Sequence, residues 1–419
     1  MTADRPNGER QRDQENLLTS TKWLSAVAAG TLMAGLAAGI SGASASPALD
    51  RSANALHAQR VCATAVTSAT ASCHAKVLVN GKGAVPMSTT PAAGAKTPAQ
   101  LKDAYKLTGL TSGGKTVAIV DAYGYTSLAA DLATYRSYYG LPACTVASGC
   151  LKIMDQDGGT NLPRMDVGWA GEQALDVDAV SAICPDCKII VVQARSAPFA
   201  NLGAAVNTAA RQAGVVAISN SYGGGDAADT TYGSYYNHPG IAITASTGDS
   251  GYKGGSYPAS SSYVTAVGGT SLFAAGNTRG WTESVWSGAG SGCSTYNTAL
   301  AAAAGSDTGC AKRAMADVSA AADPSNGGMA VYYPTSRSNS TWAQVGGTSE
   351  SAPIIAAVYA LGSNSLAGYS NALPYSHTAN LFDVTSGSNG SCPTTQWCNA
   401  RTGWDGPTGL GTPNGAGAF

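Results

Sequence analysis

The stretch KIIVVQARSAPFANLGAAVNTAARQAGVVAISNSY, residues 188–222, decides the fold class. An apolar run rich in Val and Ile opens it, residues 201–214 carry a helical pattern, and a second apolar run fills residues 215–222. Two buried strands joined by a helix are typical of a parallel sheet that is covered by helices. Further apolar runs at residues 115–123, 240–246 and 263–269 continue the alternation. We therefore predict an α/β domain with a mainly parallel central sheet flanked by helices on both faces.

The composition is that of a compact, loop-rich protein. Of 419 residues, 44% are hydrophobic and only 12% are charged, and glycine occurs 52 times. The formal net charge is -1 and no cluster of Lys and Arg runs along the chain. This balance excludes the electrostatic footprint of a nucleic-acid-binding protein.

The N-terminal region predicts export. Residues 1–22 are polar, residues 23–41 are uncharged and apolar, and small residues follow at 43–45. This order is typical of a secretory signal peptide ending at residue 45, and its alternative is an uncleaved membrane anchor. Residues 46–97, rich in Ala, Ser, Thr and Pro, predict a short and weakly structured pro-segment. Residues 98–419 are then expected to form one domain of a secreted, extracellular protein with no stable membrane association after signal cleavage.

Ten cysteines predict a disulfide framework in an exported protein. The Cys-Pro-Asp-Cys sequence at 184–187 also fits a redox motif or half of a zinc site, but no second CxxC or HxxxH completes a metal site. Local pairing is the simplest prediction: Cys62–Cys73, Cys144–Cys150, Cys184–Cys187, Cys293–Cys310 and Cys392–Cys398.

The sequence VGGTSESAPIIAAVYALG, residues 345–362, places Ser349 at a glycine-rich turn into an apolar helix. Free backbone N–H groups and the positive helix end stabilise an oxyanion at such a position. The alternative interpretation is an ordinary helix cap. A nucleophilic serine needs a base, which is usually histidine.

The histidines do not supply that base. None lies at a glycine-flanked helix start beside a strand, which argues against a Ser-His-Asp hydrolase even though Asp121 ends the first strand where a subtilisin carries its aspartate. The four are His57, His74, His238 and His377.

Carboxylates offer another answer in WAGEQALDVDAVSAI, residues 169–183. Glu172 and Asp176 are four residues apart and share one helix face, where their repulsion raises one pKa and makes Glu172 a plausible base. The alternative is an ordinary polar helix face. Asp178 points to the opposite side and is expected to be solvated.

Asp249, in the turn after the strand at 240–246, is either a plain turn residue or, if protonated, a hydrogen-bond donor to an oxyanion.

Together these motifs resemble the sedolisins, the serine-carboxyl peptidases that share the subtilisin architecture. They occur in the family's order over about residues 98–419: GEQALD (171–176), TGDSG (247–251), ADVSA (316–320), GGTS (346–349) with AP (352–353), and FDV (382–384) with GWD (403–405). The resemblance implies a subtilisin-like fold and an endopeptidase that forms an acyl-enzyme. Its implied roles are Ser349 as nucleophile, Glu172 as general base, Asp176 as the group that orients Glu172, and Asp249 as oxyanion donor.

The resemblance also implies an acidic pH optimum, because model carboxyl pKa values lie near 4 and Asp249 must be protonated. It implies one structural Ca²⁺ ion in the C-terminal loop, with Asp383 and Asp405 as carboxylate ligands and the carbonyls of Val384, Arg401 and Gly403 as candidate partners. Protein or peptide substrates would bind along the edge formed by residues 219–224, and the enzyme is expected to be monomeric. Members of the family carry a longer prodomain than residues 46–97. The competing prediction is a catalytically inactive secreted binding protein on the same scaffold.

Overall fold

The computed structural model describes residues 55–64 and 67–419. The predicted signal peptide lies outside the described residues. Among the helices that are described, none is both long enough and apolar enough to cross a membrane.

The helices have the following bounds: α1 (Pro98–Ala104), α2 (Leu128–Tyr138), α3 (Val167–Ile183), α4 (Phe199–Ala210), α5 (Asp229–Tyr232), α6 (Thr348–Leu361) and α7 (Leu373–Ser376). The strands are β1 (His57–Arg60), β2 (Ser72–Cys73), β3 (Lys76–Val79), β4 (Thr116–Ala122), β5 (Leu151–Asp155), β6 (Lys188–Ala194), β7 (Val215–Asn220), β8 (Tyr222–Gly225), β9 (Ala242–Ser246), β10 (Ser256–Tyr257), β11 (Thr265–Ala274), β12 (Trp281–Val285), β13 (Gly292–Cys293), β14 (Ala314–Met315), β15 (Val318–Ala321), β16 (Met329–Pro334), β17 (Ser340–Gly346), β18 (Leu381–Phe382) and β19 (Thr412–Pro413).

An eight-stranded sheet forms the centre of the molecule. Its order is β12-β11-β9-β7-β4-β6-β5, with β15 also paired to β11, and every pairing is parallel except that of β12 with β11. The inner strands β4 and β9 are buried throughout, which is why the sequence shows continuous apolar runs there instead of alternation. The predicted mainly parallel sheet is confirmed.

Two hydrophobic cores cover the two faces of this sheet. Along β4, Val117 and Ile119 join the core that contains α3 and α6, whereas Ala118 and Val120 join the core that contains α4. Successive strand side chains point to opposite faces, so one strand serves both cores. The predicted helices on both faces are therefore confirmed.

Helix α3 has no solvated side, because it packs against α1, α2, α6, β4 and β16. Asp178 is only 1% exposed and accepts a hydrogen bond of 3.2 Å from the Tyr332 backbone N–H. The prediction that Asp178 is solvated is wrong. The helical pattern alone predicts a solvent-exposed outer face for α3, but in the structure a second sheet covers that face.

That second sheet has the order β1-β3-β17-β16 and is antiparallel. A third, small antiparallel sheet has the order β10-β8-β2. Strands β1, β2 and β3 all belong to residues 46–97, which were expected to be weakly structured. Residues 57–79 are thus integrated into the fold at two separate sheet edges.

The five predicted disulfides are confirmed. Each cysteine pairs with its neighbour in sequence, and no free cysteine remains in the described part of the chain. The longest interval, between Cys293 and Cys310, spans 17 residues, so each bridge closes a short local loop.

Candidate active site

The candidate site lies where parallel strands end. Strands β4, β7 and β9 are neighbours, and their carboxyl ends carry Asp121, Asn220 and Ser246. Ligands of open α/β sheets bind at this edge, where loops follow the strands. Helices α3 and α6 pack against each other on one face of the same strands.

Ser349 occupies the second position of α6, directly after a turn that only glycine permits. Gly347 caps the helix with a φ of 105°, and a Cβ at this residue would lie 2.0 Å from the His74 carbonyl oxygen and 2.6 Å from Asp249 Oδ2. A side chain at residue 347 is excluded by conformation and by space. The turn therefore brings α6, the loop after β9 and the N-terminal segment together.

Glu172 and Asp176 lie one turn apart on α3, and both are fully buried. Burial raises the pKa of each carboxyl well above its usual range, and repulsion from Asp121 adds to both rises. Glu172 Oε1 and Asp176 Oδ2 have no hydrogen-bond partner among the described residues. A proton held by one carboxyl supplies the donor that the pair lacks. The polar helix face is thus a buried acid pair.

Ser349 lies beside this pair. The proximity of its hydroxyl lowers the pKa of Glu172, against the larger rise from burial. In the resting arrangement Ser349 Oγ donates to the Ser221 carbonyl at 3.2 Å, while Ser221 Oγ donates to Asp176 Oδ1 at 2.8 Å. Ser221 thereby links the serine to the second carboxyl.

Asp121 adds a third buried carboxyl to the cluster, and the sequence did not predict this role. Both of its oxygens are buried without a hydrogen-bond partner in the described structure, and burial raises its pKa to about 8. The sequence offered one signal for this role, an acidic residue at the end of a predicted central strand. It could not show the cluster, because the residues that neighbour Asp121 at this edge come from other parts of the chain. Three carboxyls in one dry site cannot all be ionised at neutral pH.

Asp249 faces the start of α6 from the loop after β9. Its Oδ1 accepts from the Thr348 backbone N–H at 2.8 Å and from Thr348 Oγ1 at 3.0 Å, whereas Oδ2 has no partner among the described residues. Burial raises the pKa of Asp249 to about 6, and the nearby Lys76 ammonium opposes the rise. With Oδ1 fully used as an acceptor, a proton on this side chain resides on Oδ2.

The described histidines do not serve Ser349. His74 is buried in the site but its Nδ1 pairs with Ser246 Oγ at 2.8 Å, and burial lowers its pKa to about 3. His238 contacts Asn207, and His377 contacts the Leu373 carbonyl. His57 lies on the exposed strand β1.

The residues of the expected calcium site come together in the C-terminal loop. Asp383 Oδ2 accepts from the Gly403 N–H at 2.8 Å, and Asp405 accepts from Thr408. Burial raises the pKa of Asp405 to about 7, and repulsion from Asp383 contributes. No cluster of three or more His, Cys, Asp or Glu side chains that could hold a metal occurs in the described residues. The site has two carboxylates only, so carbonyl oxygens would have to complete a cation shell, which suits Ca²⁺.

Comparisons with known proteins agree with the ordered motifs. No protein-family model matches the sequence. Kumamolisin from Bacillus sp. (strain MN-32) is 31% identical over 365 residues, which cover 77% of this chain and 62% of kumamolisin. Tripeptidyl-peptidase sed1 from Aspergillus fumigatus is 42% identical over 78 residues, which cover 17% of this chain and 12% of that protein. The chain thus spans less than two thirds of the length of either relative.

Solved structures show the same fold. A Pseudomonas sedolisin, a serine-carboxyl proteinase complexed with two molecules of pseudo-iodotyrostatin, aligns with a TM-score of 0.63 and 24% identity over 77% of this chain and 96% of that chain. A structure named S41 psychrophilic protease aligns with a TM-score of 0.51 and 18% identity over 77% of this chain and 99% of that one. The predicted α/β, subtilisin-like fold class is confirmed. With the motifs in order, the buried acid pair in place and a kumamolisin alignment over 77% of this chain, the resemblance to the sedolisin family of serine-carboxyl peptidases is supported.

Proposed function

We propose that this chain is a secreted, monomeric serine-carboxyl endopeptidase that hydrolyses peptide bonds at acidic pH. One observation carries the proposal: Ser349, the Glu172–Asp176 pair and Asp249 converge in one buried site. Residues 98–419 form the peptidase domain in this proposal, and residues 46–97 form the pro-segment. An inactive binding protein is not favoured, because all four reactive groups are retained.

In the first half of the reaction, Ser349 Oγ attacks the carbonyl carbon of a peptide bond and Glu172 takes the hydroxyl proton. Asp176 positions Glu172 and shares the negative charge of the pair, which lies in a dry site where two charges would repel. Asp249 donates its Oδ2 proton in a hydrogen bond to the oxygen that becomes negative. Glu172 then gives the proton to the leaving nitrogen, and an ester on Ser349 remains.

In the second half, water attacks the ester while Glu172 again accepts a proton. The carboxylic acid product leaves, and Ser349 regains its hydrogen. Carboxyl groups replace imidazole as the base, and their raised pKa values bring them closer to the range that proton transfer requires.

Casein cleavage by the secreted protein across pH 3 to 8 tests this proposal. We expect activity in acid, and we expect Ser349→Ala to lower it by at least about 10³-fold. Ser351→Ala is the matched control, since this buried serine of the same helix bonds only the Ala320 and Ala321 carbonyls and should leave activity intact. Cleavage that persists in Ser349→Ala rules out the nucleophile.

We also propose that the C-terminal loop holds one structural Ca²⁺ ion. Asp383 and Asp405 would supply carboxylate oxygens, and the carbonyl oxygens of Val384, Arg401 and Gly403 accept no hydrogen bond among the described residues. Bound calcium would neutralise the repulsion between the two aspartates. Chelation should lower the Tm of the wild type by several degrees but not that of Asp383→Asn, whereas Asp157→Asn, at an exposed ion pair, should behave as wild type. Equal Tm values with and without chelator contradict the ion.

A further inference from the structure

The residue directly after the candidate nucleophile is a glutamate that the proposed reaction does not use. Glu350 lies in the first turn of α6 and is 0% exposed. Its backbone N–H donates to the Gly347 carbonyl at 2.9 Å, so Glu350 belongs to the turn that presents Ser349. A change in the charge of this side chain therefore acts on the turn that carries the serine.

The carboxyl of Glu350 has no partner in the described structure. Both of its oxygens are buried without a hydrogen bond, a feature that it shares only with Asp121 among the residues described. None of the ion pairs formed by these residues includes Glu350. A buried carboxylate that nothing neutralises is costly, so the folded protein holds this side chain as the neutral acid.

The elements that pack against α6 bring no cation to this carboxyl. They are α3, β4, β7, β9, β11, β15 and β17. The five strands other than β4 contain no charged side chain, and β4 contains only Asp121. Helix α3 contains only acids, which are Glu172, Asp176 and Asp178. Every charged side chain on these elements therefore has the same sign as an ionised Glu350.

The loops around Glu350 bring one charge of each sign. Lys96, in the segment before α1, favours the ionised carboxyl but forms no ion pair with it. Asp323, after β15, repels a second negative charge, and the proximity of the Met329 backbone N–H gives a small opposing effect. These contributions leave burial as the dominant influence on Glu350.

Two tyrosines complete the surroundings of Glu350. Tyr105, at the end of α1, already donates to Glu283 and accepts from the Ala321 N–H, so its hydroxyl is not free for Glu350. Tyr135, on α2, is fully buried and its hydroxyl has no partner among the described residues. Burial raises the pKa of both phenols well above the usual range, so neither supplies a charge.

Ionisation of Glu350 would place an uncompensated negative charge in the first turn of α6. The positive helix end favours such a charge, but by less than its burial in a dry site costs. Water is the remaining stabilising partner, and the carboxyl reaches water only if the turn moves. Thr348, in the same turn, holds Asp249 through its N–H at 2.8 Å and its hydroxyl at 3.0 Å. An open turn therefore displaces Ser349 and releases Asp249 together.

We propose that Glu350 is a positioning residue: as the neutral acid it keeps the first turn of α6 closed, and its ionisation towards neutral pH opens this turn and stops the peptidase. The loss of activity rests on the proposed function, whereas the opening of the turn does not. Burial raises the pKa of Glu350 well above the usual 4.5, Lys96 opposes the rise and Asp323 adds to it. The folded state therefore loses stability as pH rises from 4.5 through this raised pKa.

The first experiment follows the opening by hydrogen exchange. S349A, which lacks the proposed nucleophile, and S349A/E350Q are compared at pH 5.0 and 7.5 on peptides covering residues 345–352, with intrinsic exchange rates divided out. We expect the opening constant of S349A to rise about tenfold or more over this range, and that of S349A/E350Q to stay level.

The matched control for exchange is S349A/D178N, which removes another buried acid whose carboxyl accepts from the Tyr332 N–H; it should behave as S349A. If E350Q does not fold, Glu350→Met has a similar length and needs no hydrogen bond. An equal rise with and without the Glu350 substitution, or no rise in S349A, overturns the proposal.

The second experiment connects the opening to activity through the ratio of kcat/KM at pH 4.5 to that at pH 7 on a short peptide. This ratio should be at least about threefold smaller in E350Q than in wild type, because the Asp249 proton is still lost but the turn stays closed. D178N should keep the wild-type ratio. An unchanged ratio in E350Q overturns the positioning role and leaves the proposed function standing. Absence of hydrolysis at every pH overturns the proposed function, and the exchange data still decide whether the turn opens.

Discussion

The proton on Asp249 sets the alkaline limit of the proposed reaction. Burial raises the pKa of this carboxyl from the usual 3.8 to about 6, and Lys76 and Thr348 oppose the rise. Only the protonated side chain donates to an oxyanion, and the protonated fraction falls about tenfold per pH unit above the pKa. We therefore expect kcat/KM at pH 8 to be about one hundredth of its value at the acidic optimum.

The assay is the initial rate of hydrolysis of a short peptide from pH 4 to 8. Asp249→Ala should lower the acidic rate by about 10² to 10³, as removal of one oxyanion donor does, and its profile should lack the decline near pH 6.

Unfolding must be separated from titration in this assay. The folded protein holds the Asp249 proton more tightly than the unfolded chain does, so the free energy of unfolding falls as pH rises from 3.8 through about 6. A shift of about two units corresponds to about 3 kcal/mol, and circular dichroism at each pH detects a loss of structure. A wild-type profile that stays level from pH 5 to 8, or an identical decline in Asp249→Ala, would refute the reasoning.

Three further predictions follow from the buried acids and the turn. The Tm of Ser349→Ala should be higher at pH 5 than at pH 8 in differential scanning calorimetry, because several fully buried carboxyls have raised pKa values and the folded state binds more protons; a higher Tm at pH 8 would contradict this. Asp121→Asn should move the acid limb of the pH–rate profile to lower pH, because the repulsion that raises the Glu172 pKa is lost; Asp178→Asn, whose carboxyl faces Tyr332, is the control and should leave the limb in place. Gly347→Ala should abolish activity and lower the Tm more than Gly368→Ala, since both glycines have positive φ but a Cβ at 368 meets nothing within 4 Å; equal losses would show that backbone conformation alone matters.

Local features of the site could be predicted from the sequence, whereas its long-range contacts could not. The pairing of Glu172 with Asp176 depends only on the rise of one helix, and the apolar runs that became β4, β6 and β7 report their burial directly. That Ser349 lies beside Glu172 depends on how α6 packs on α3, and only the family resemblance supplied it. Asp178 shows this limit of sequence-based prediction. Helix periodicity gives the direction of its side chain but not which part of the chain covers that side of α3.

The order of residues 57–79 escaped prediction for the same reason. Composition made residues 46–97 look weakly structured, since they carry few long apolar runs. Their order comes from partners far along the chain: β3 completes its hydrogen bonds on β17, and β2 completes its bonds on β8. A strand of two residues has no sequence signal of its own, because its stability comes from the edge to which it adds.

Acid acts on the site carboxyls and on His74 in opposite directions. The raised carboxyls of Glu172, Asp176 and Asp249 favour the folded, protonated site as pH falls. His74 behaves in the reverse sense: burial and then the nearby Arg60 and Lys76 lower its pKa to about 3, from the usual 6.5. The unfolded chain therefore binds a proton at His74 that the folded protein does not, so this group lowers the free energy of unfolding as pH falls from 6.5 toward about 3. Arg60, which also bonds Ser250, and Lys76 lower the pKa of Asp249 as well, so the same two cations favour a neutral His74 and an ionised Asp249.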